Sequence, residues 1–213
     1  MTPRDREIYN FIEMVGICTA QQIREIFIPK VDIAKTYHRL RVLVDEGLVR
    51  VSKVGLNNYY YVGRKTSKKM LEHDLKTTDL IGYLKRNGAN ITSFKRNKII
   101  GKTISGNIFV DGYVTYKLKI GEKTFKRHIL IEVQRSIQYK PDSNYGHLYG
   151  CIAKYNHDSI KEGLKKLCED YGFKQVPPLV VVTDIRDTTS SVFTTQLIKL
   201  PFIENELWGI LIR

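Results

Sequence analysis

Near the start of the chain, apolar residues recur at helical intervals in three short stretches. Ile8, Phe11 and Ile12 form the first stripe, between Thr2-Pro3 and Gly16. A threonine hydroxyl accepts hydrogen bonds from a first turn, proline fits there and glycine ends the run, so a helix is predicted. Thr19 caps a second helix, in which Ala20, Ile23 and Phe27 share a face and Pro29 marks the end. Asp32 caps a third. Its predicted core face is Ile33, Tyr37, Leu40 and Val44, which leaves Lys35, Thr36, His38, Arg39 and Arg41 on the other faces as far as Gly47. The pattern then turns strand-like: Leu48–Lys53 and Tyr59–Val62 flank Gly55-Leu56-Asn57-Asn58, a turn-rich tip that makes a hairpin. Three helices followed by a hairpin is the element order of a winged helix-turn-helix, here residues 1–64, with a boundary at Gly63-Arg64-Lys65.

Beyond the boundary, Met70, Leu71, Asp74 or Leu75, Thr78 and Ile81 recur at helical spacing, which predicts a long helix opening a second domain, residues 65–213. Ile108–Val110 and Tyr113–Lys119 then read as strand, Ile120-Gly121-Glu122-Lys123 as a hairpin turn, and Thr124–Gln134 as the returning strand. Tyr145–Tyr171 fits one long helix or two with a break near Asn156-His157-Asp158. Leu179–Thr183 is a continuous apolar run of the kind buried on both faces, with a Ser/Thr-rich turn and a short helix expected after it and Leu207–Ile212 as a last strand. Strand pair, crossover helix, buried strand is an α/β arrangement, α+β overall once the first domain is counted, with a mixed sheet flanked by helices.

Charge sharpens the picture. The chain of 213 residues has a net charge of +13, and residues 65–135 alone carry 16 Lys and Arg against 6 Asp and Glu, while residues 136–213 are balanced at 9 and 9. A local cationic excess suits a polyanion, because lysine and arginine release the counterions condensed on phosphates. DNA is therefore the expected partner. In a winged helix the third helix enters the major groove, so Lys35, Thr36, His38 and Arg39, with Lys53 on the hairpin, are the predicted DNA-binding residues. Such domains often pair, and no seam for a homodimer is legible. No apolar run approaches the ~20 residues needed to span a bilayer, and Met1-Thr2-Pro3-Arg4-Asp5-Arg6 lacks a signal-peptide core, so no membrane partner and a cytoplasmic location are expected. Cys18, Cys151 and Cys168 are odd in number and far apart, which predicts buried thiols rather than disulfides or a zinc site.

The densest chemistry lies where the two central strands end. Asp111 follows Ile108-Phe109-Val110, and Glu132 and Gln134 are two apart, so strand periodicity sends the latter pair to one face. The hairpin brings Asp111 towards Glu132, and two carboxylates with an amide make a set of oxygen ligands suited to Mg2+. There is no glycine-rich phosphate loop and no nucleophile-base arrangement around Arg186-Asp187, and the five histidines are scattered. ATPase, serine hydrolase and DNA-joining relaxase activities are thus unsupported.

The winged-helix start, Leu71-Glu72-His73-Asp74-Leu75 with Thr78-Asp79, then Val110-Asp111-Gly112 and Ile131-Glu132-Val133-Gln134-Arg135, resembles the replication-relaxation family of plasmids, phages and other mobile elements. The resemblance runs over most of the chain. It implies a second domain similar to the PD-(D/E)XK nucleases, and work in replication, relaxation or transcriptional control alongside replication or conjugation proteins. It also implies that Asp111 and Glu132 match the two metal-binding acids and that Gln134 stands where the catalytic lysine usually is. Glutamine orients water but carries no charge, so a neighbouring cation such as Lys102, Lys126 or Arg135 would have to supply it. Two functions stay open: a noncatalytic DNA-binding regulator, and a Mg2+-dependent endonuclease using Asp111, Glu132 and Gln134.

Overall fold

The computed structural model describes residues 1–103, 106–133, 158–183 and 195–199. The chain is a mixed α+β protein made of two compact units, one running to Ile91 and the other starting at Thr92. In the first, α1 (Pro3–Val15), β1 (Ile17–Thr19), α2 (Ala20–Phe27) and α3 (Ile33–Asp45) precede the hairpin β2 (Arg50–Val54) and β3 (Asn57–Tyr61). The caps read from the sequence are present. Thr2 and Thr19 each accept from the backbone N–H three residues on, while Asp5 and Gln22 reach back to the N–H of the capping threonine. Asp32 accepts from Ala34 N at 2.7 Å. A three-residue strand unread in the sequence, β1, adds to the hairpin and makes an antiparallel sheet in the order β1-β3-β2.

One face of that sheet carries Cys18 and Tyr60, both buried with Ile8, Ile12, Ile23, Leu40 and Leu43. Its other face carries Ile17, Tyr59 and Tyr61 and is not left to solvent, because α4 (Leu71–Arg86) contributes to this same unit. The Thr78 hydroxyl donates to Ile17 O at 2.9 Å, and the Gln22 amide to Leu75 O at 3.1 Å and Asp79 Oδ1 at 2.6 Å. Arg86 pairs with Glu25 at 3.1 Å, and Gly82 lies so close to Ile26 that a side chain there would displace it. The unit boundary therefore falls near residue 91 instead of 64, and the helix expected to open the second unit closes the first. Glu72, His73 and Asp79 go with it.

The second unit is built on a five-stranded mixed sheet of order β4-β5-β6-β7-β8: β4 (Asn90–Thr103), β5 (Gly106–Ile120), β6 (Lys123–Val133), β7 (Leu179–Thr183) and β8 (Thr195–Lys199). Strands β5 and β6 pair antiparallel from Ile120 with Lys123 to Gly112 with Ile131, as the predicted turn requires. The pairs β6·β7 and β7·β8 are parallel. Between β6 and β7 runs α5 (Asp158–Tyr171), whose Ile160, Leu164 and Leu167 pack with Ile100, Val110, Tyr113, Leu130, Leu179 and Val181. The approach is close: a Cβ on Gly163 would collide with the Ile100 carbonyl oxygen. Val180, Val181 and Val182 are fully buried, as expected of a strand covered on both sides. Cys18 and Cys168 are buried free thiols. Cys151, the predicted strand Leu207–Ile212 and the first part of the Tyr145–Tyr171 helix lie outside the described residues. No helix among the described residues is long and apolar enough to cross a membrane.

A fragment of residues 1–91 is expected to melt cooperatively, whereas residues 1–64, which leave Ile17, Tyr59 and Tyr61 bare, are expected to show no cooperative transition. Circular dichroism melts of the two fragments check this, and a cooperative 1–64 would restore the earlier boundary.

Candidate functional site

Helix α3 presents its exposed face through Ala34, Tyr37, His38 and Arg41, spaced i, i+3, i+4, i+7, with Lys35 on the flank. Its buried face is Thr36, Leu40 and Leu43. This rotates the expected assignment. Thr36 is 0% exposed and cannot meet a ligand, while Tyr37 is 45% exposed and belongs to the surface. Sequence periodicity alone cannot separate these two, since both complete an apolar stripe with Leu40.

Arg39 is tied inward at one end while its side chain stays 43% exposed. Its guanidinium donates to the Asp5 carboxylate at 3.3 Å. Burial pushes that carboxyl's pKa up, but hydrogen bonds from the Thr2 hydroxyl and N–H, with the Arg39 charge, outweigh it and leave the group below its ordinary value. Asp5 thus joins the first turn of α1 to the middle of α3. Lys35 and His38 remain exposed, as does Lys53 on β2, which pairs with Asn58 next to the hairpin tip. Arg41 makes only a surface pair with Asp45 at 3.8 Å, with both side chains largely exposed.

In the second unit, Asp111 and Glu132 are the next residues of β5 and β6 beyond the last registered pair, Gly112 with Ile131. Val110 and Tyr113 both join the core cluster although three apart, so the alternation of β5 breaks around Asp111. At that break the Asp111 carboxylate replaces a main-chain acceptor: Val133 N donates to its Oδ2 at 2.7 Å. Glu132 continues the face of Leu130, beside Val181, and is 4% exposed. A buried carboxylate needs compensation by donors or a cation. The oxygen donors of this pair suit Mg2+. Among the described residues, no group of three or more His, Cys, Asp or Glu side chains converges. Gln134 and Arg135 lie outside the described residues. Lys126 cannot serve this pair: six residues along β6 place it about 20 Å from Glu132. It donates instead to Tyr171 O at 2.6 Å, at the end of α5.

Between these ends of β6 sits His128. Its Nε2 is 2.8 Å from Gln175 O and its Nδ1 is 3.2 Å from the Tyr113 hydroxyl, and the ring stacks on Phe173 at 3.6 Å. A carbonyl only accepts, so Nε2 holds the proton and Nδ1 accepts from Tyr113. No protein-family model, curated protein or solved structure matches the chain.

Burial drives the His128 pKa down from 6.5 to about 4, against the Gln175 carbonyl and with help from the Lys126 charge. Between those values the unfolded chain binds the proton and the folded chain does not. His128 should therefore destabilise the fold progressively as pH falls from 6.5 towards 4, with no effect above. Urea midpoints across that range check this. In His128→Gln, which keeps a donor to Gln175 O without titrating, that part of the slope should vanish.

Proposed function

We propose that the chain is a DNA-binding protein of a mobile element, a plasmid or phage, acting in replication, relaxation or transcriptional control. The observation that carries this reading is the outer face of α3. It follows two helices and precedes a hairpin, and it offers Lys35, Tyr37, His38 and Arg41 to solvent. Buried Leu40 and Leu43 seat that helix and Arg39 links it to Asp5, so its polar stripe points outward, as suits a major groove. The excess of cations after residue 64 adds long-range attraction for phosphates.

Lys35→Ala with Arg41→Ala should weaken duplex binding about tenfold and lower the salt slope by roughly two phosphate contacts. Both side chains are exposed, so the melting temperature should hold. Fluorescence anisotropy across a salt series measures it, and an unchanged affinity would remove α3 from the interface. Arg39→Ala, in contrast, should lower stability by up to about 1 kcal/mol, since the pair is partly open to solvent and Thr2 still donates to the Asp5 carboxylate.

A second reading, a Mg2+-dependent endonuclease, is favoured by the placement of Asp111 beside Glu132. It also draws on the order of three strands, α5, then β7 parallel to β6, which suits the nuclease-like core. Asp111 and Glu132 would hold the ion, which lowers the pKa of a bound water and screens the phosphate. Val133 N–H fixes the Asp111 carboxylate, and burial among apolar residues keeps bulk water from Glu132. Asp111→Asn preserves an acceptor for Val133 and so the fold. Magnesium-dependent nicking of supercoiled DNA that survives in Asp111→Asn would exclude this site as its source.

A further inference from the structure

Strand β6 pairs with β7 only from Leu130 onward. Between its earlier residues and the segment Phe173–Pro178 lies a cleft of about 520 Å³. Its walls include Phe125 and Phe173 and the cations Lys126, Arg127 and Lys174, and among the described residues no carboxylate lines it. The Arg127 guanidinium lies 5.1 Å from the Phe125 ring centre, and the Lys126 ammonium 4.6 Å from that of Phe173. Arg127 Nε is buried with no hydrogen-bond partner among the described residues.

The surrounding charge is mostly positive among the described residues, with Glu122 at the turn as the neighbouring carboxylate. Lys117 on β5 stands directly opposite Lys126, and Lys119 and Lys123 follow towards the turn, all exposed. Like charges in cross-strand register destabilise a sheet. None of these lysines, nor Arg127, makes an ion pair among the described residues. Lysines on a free edge do keep a strand from pairing with another chain. That role requires neither a cleft nor an aromatic floor.

We propose that this cleft binds unpaired DNA, with a base seated against Phe125 and the Arg127 guanidinium and the flanking phosphates met by Lys123, which shares their strand face, and by Lys126 and Lys174 in the cleft wall. Every base has a π-face that stacks on aromatic rings and guanidinium planes, and the backbone follows the cations. A duplex keeps its bases inside the stack and offers only phosphates and groove edges, so it leaves such a floor unused. Single strands are therefore the fitting ligand. The site extends the DNA-binding reading to a second kind of DNA and is independent of α3.

The test uses the full chain and three probes at low salt: a labelled oligothymidylate of about 16 nucleotides, a mixed-sequence duplex, and inorganic polyphosphate, which has charge without bases. Phe125→Leu keeps apolar bulk and loses the ring. Arg127→Lys keeps the charge and loses the plane. Each should weaken oligothymidylate binding about tenfold and leave polyphosphate and duplex binding within about twofold. Oligothymidylate affinity equal to wild type in both variants would overturn the proposal. So would an equal loss of polyphosphate, which would mark simple charge attraction. The α3 variant described above should do the reverse, losing duplex and keeping oligothymidylate, so failure of one site is read apart from failure of the other.

Discussion

Strand β6 is longer than its partner on the β7 side, and the polar groups left over at both of its ends have to be satisfied. At one end the chain leading into β7 does this with carbonyls: Pro178 O takes the Leu130 N–H, and Gln175 O takes the His128 ring. At the other end the registered ladder with β5 stops and a carboxylate steps in, Asp111 to Val133 N–H. The two candidate sites of the second unit lie at these two ends of β6. The acid pair sits where a main-chain acceptor is replaced by a side chain, and the cleft sits where β7 has not yet begun.

The first unit solves a related problem with a helix. A three-stranded sheet has two faces, and α1 to α3 cover only one of them. Tyr60 and Cys18 point to the covered face, and Ile17, Tyr59 and Tyr61 to the other. Helix α4 supplies the second cover, with the Gln22 side chain spanning the capping box of α2 and the Leu75 carbonyl. This places the rigid part of the unit behind the hairpin and leaves the outer face of α3 uncovered within it.

Much of this was legible in the sequence. Caps are short-range, so Thr2, Thr19 and Asp32 announced their helices correctly, and the Ile120–Lys123 turn set the β5·β6 register. What failed depended on tertiary contacts. The turn at Gly63 looked like a domain end because nothing local says that Leu71 and Thr78 face back to β1. Strand β4 went unread since it lies at the sheet edge, where Lys95, Arg96 and Lys98 obscure an alternating pattern. Strand β8 stood where a turn and short helix were expected, and its parallel pairing to β7 is a long-range choice. On α3 a shift of one residue exchanged Thr36 and Tyr37 between core and surface, because both apolar stripes include Leu40. That Asp111 and Glu132 fall at neighbouring strand ends was legible from spacing, but the role of Asp111 as a substitute ladder acceptor was not, since it depends on the break in β5.

The cross-strand register of Lys117 with Lys126 has a thermodynamic consequence of its own. Their repulsion is present whenever the hairpin is paired and absent when it is not, so it weakens the native sheet in isolation. A polyanion lying across them removes that repulsion only in the folded form, and by mass action such a ligand raises the melting temperature as well as being held. If the hairpin is occupied as proposed, its folding and its occupancy are coupled equilibria, and removing the anion costs the paired form stability.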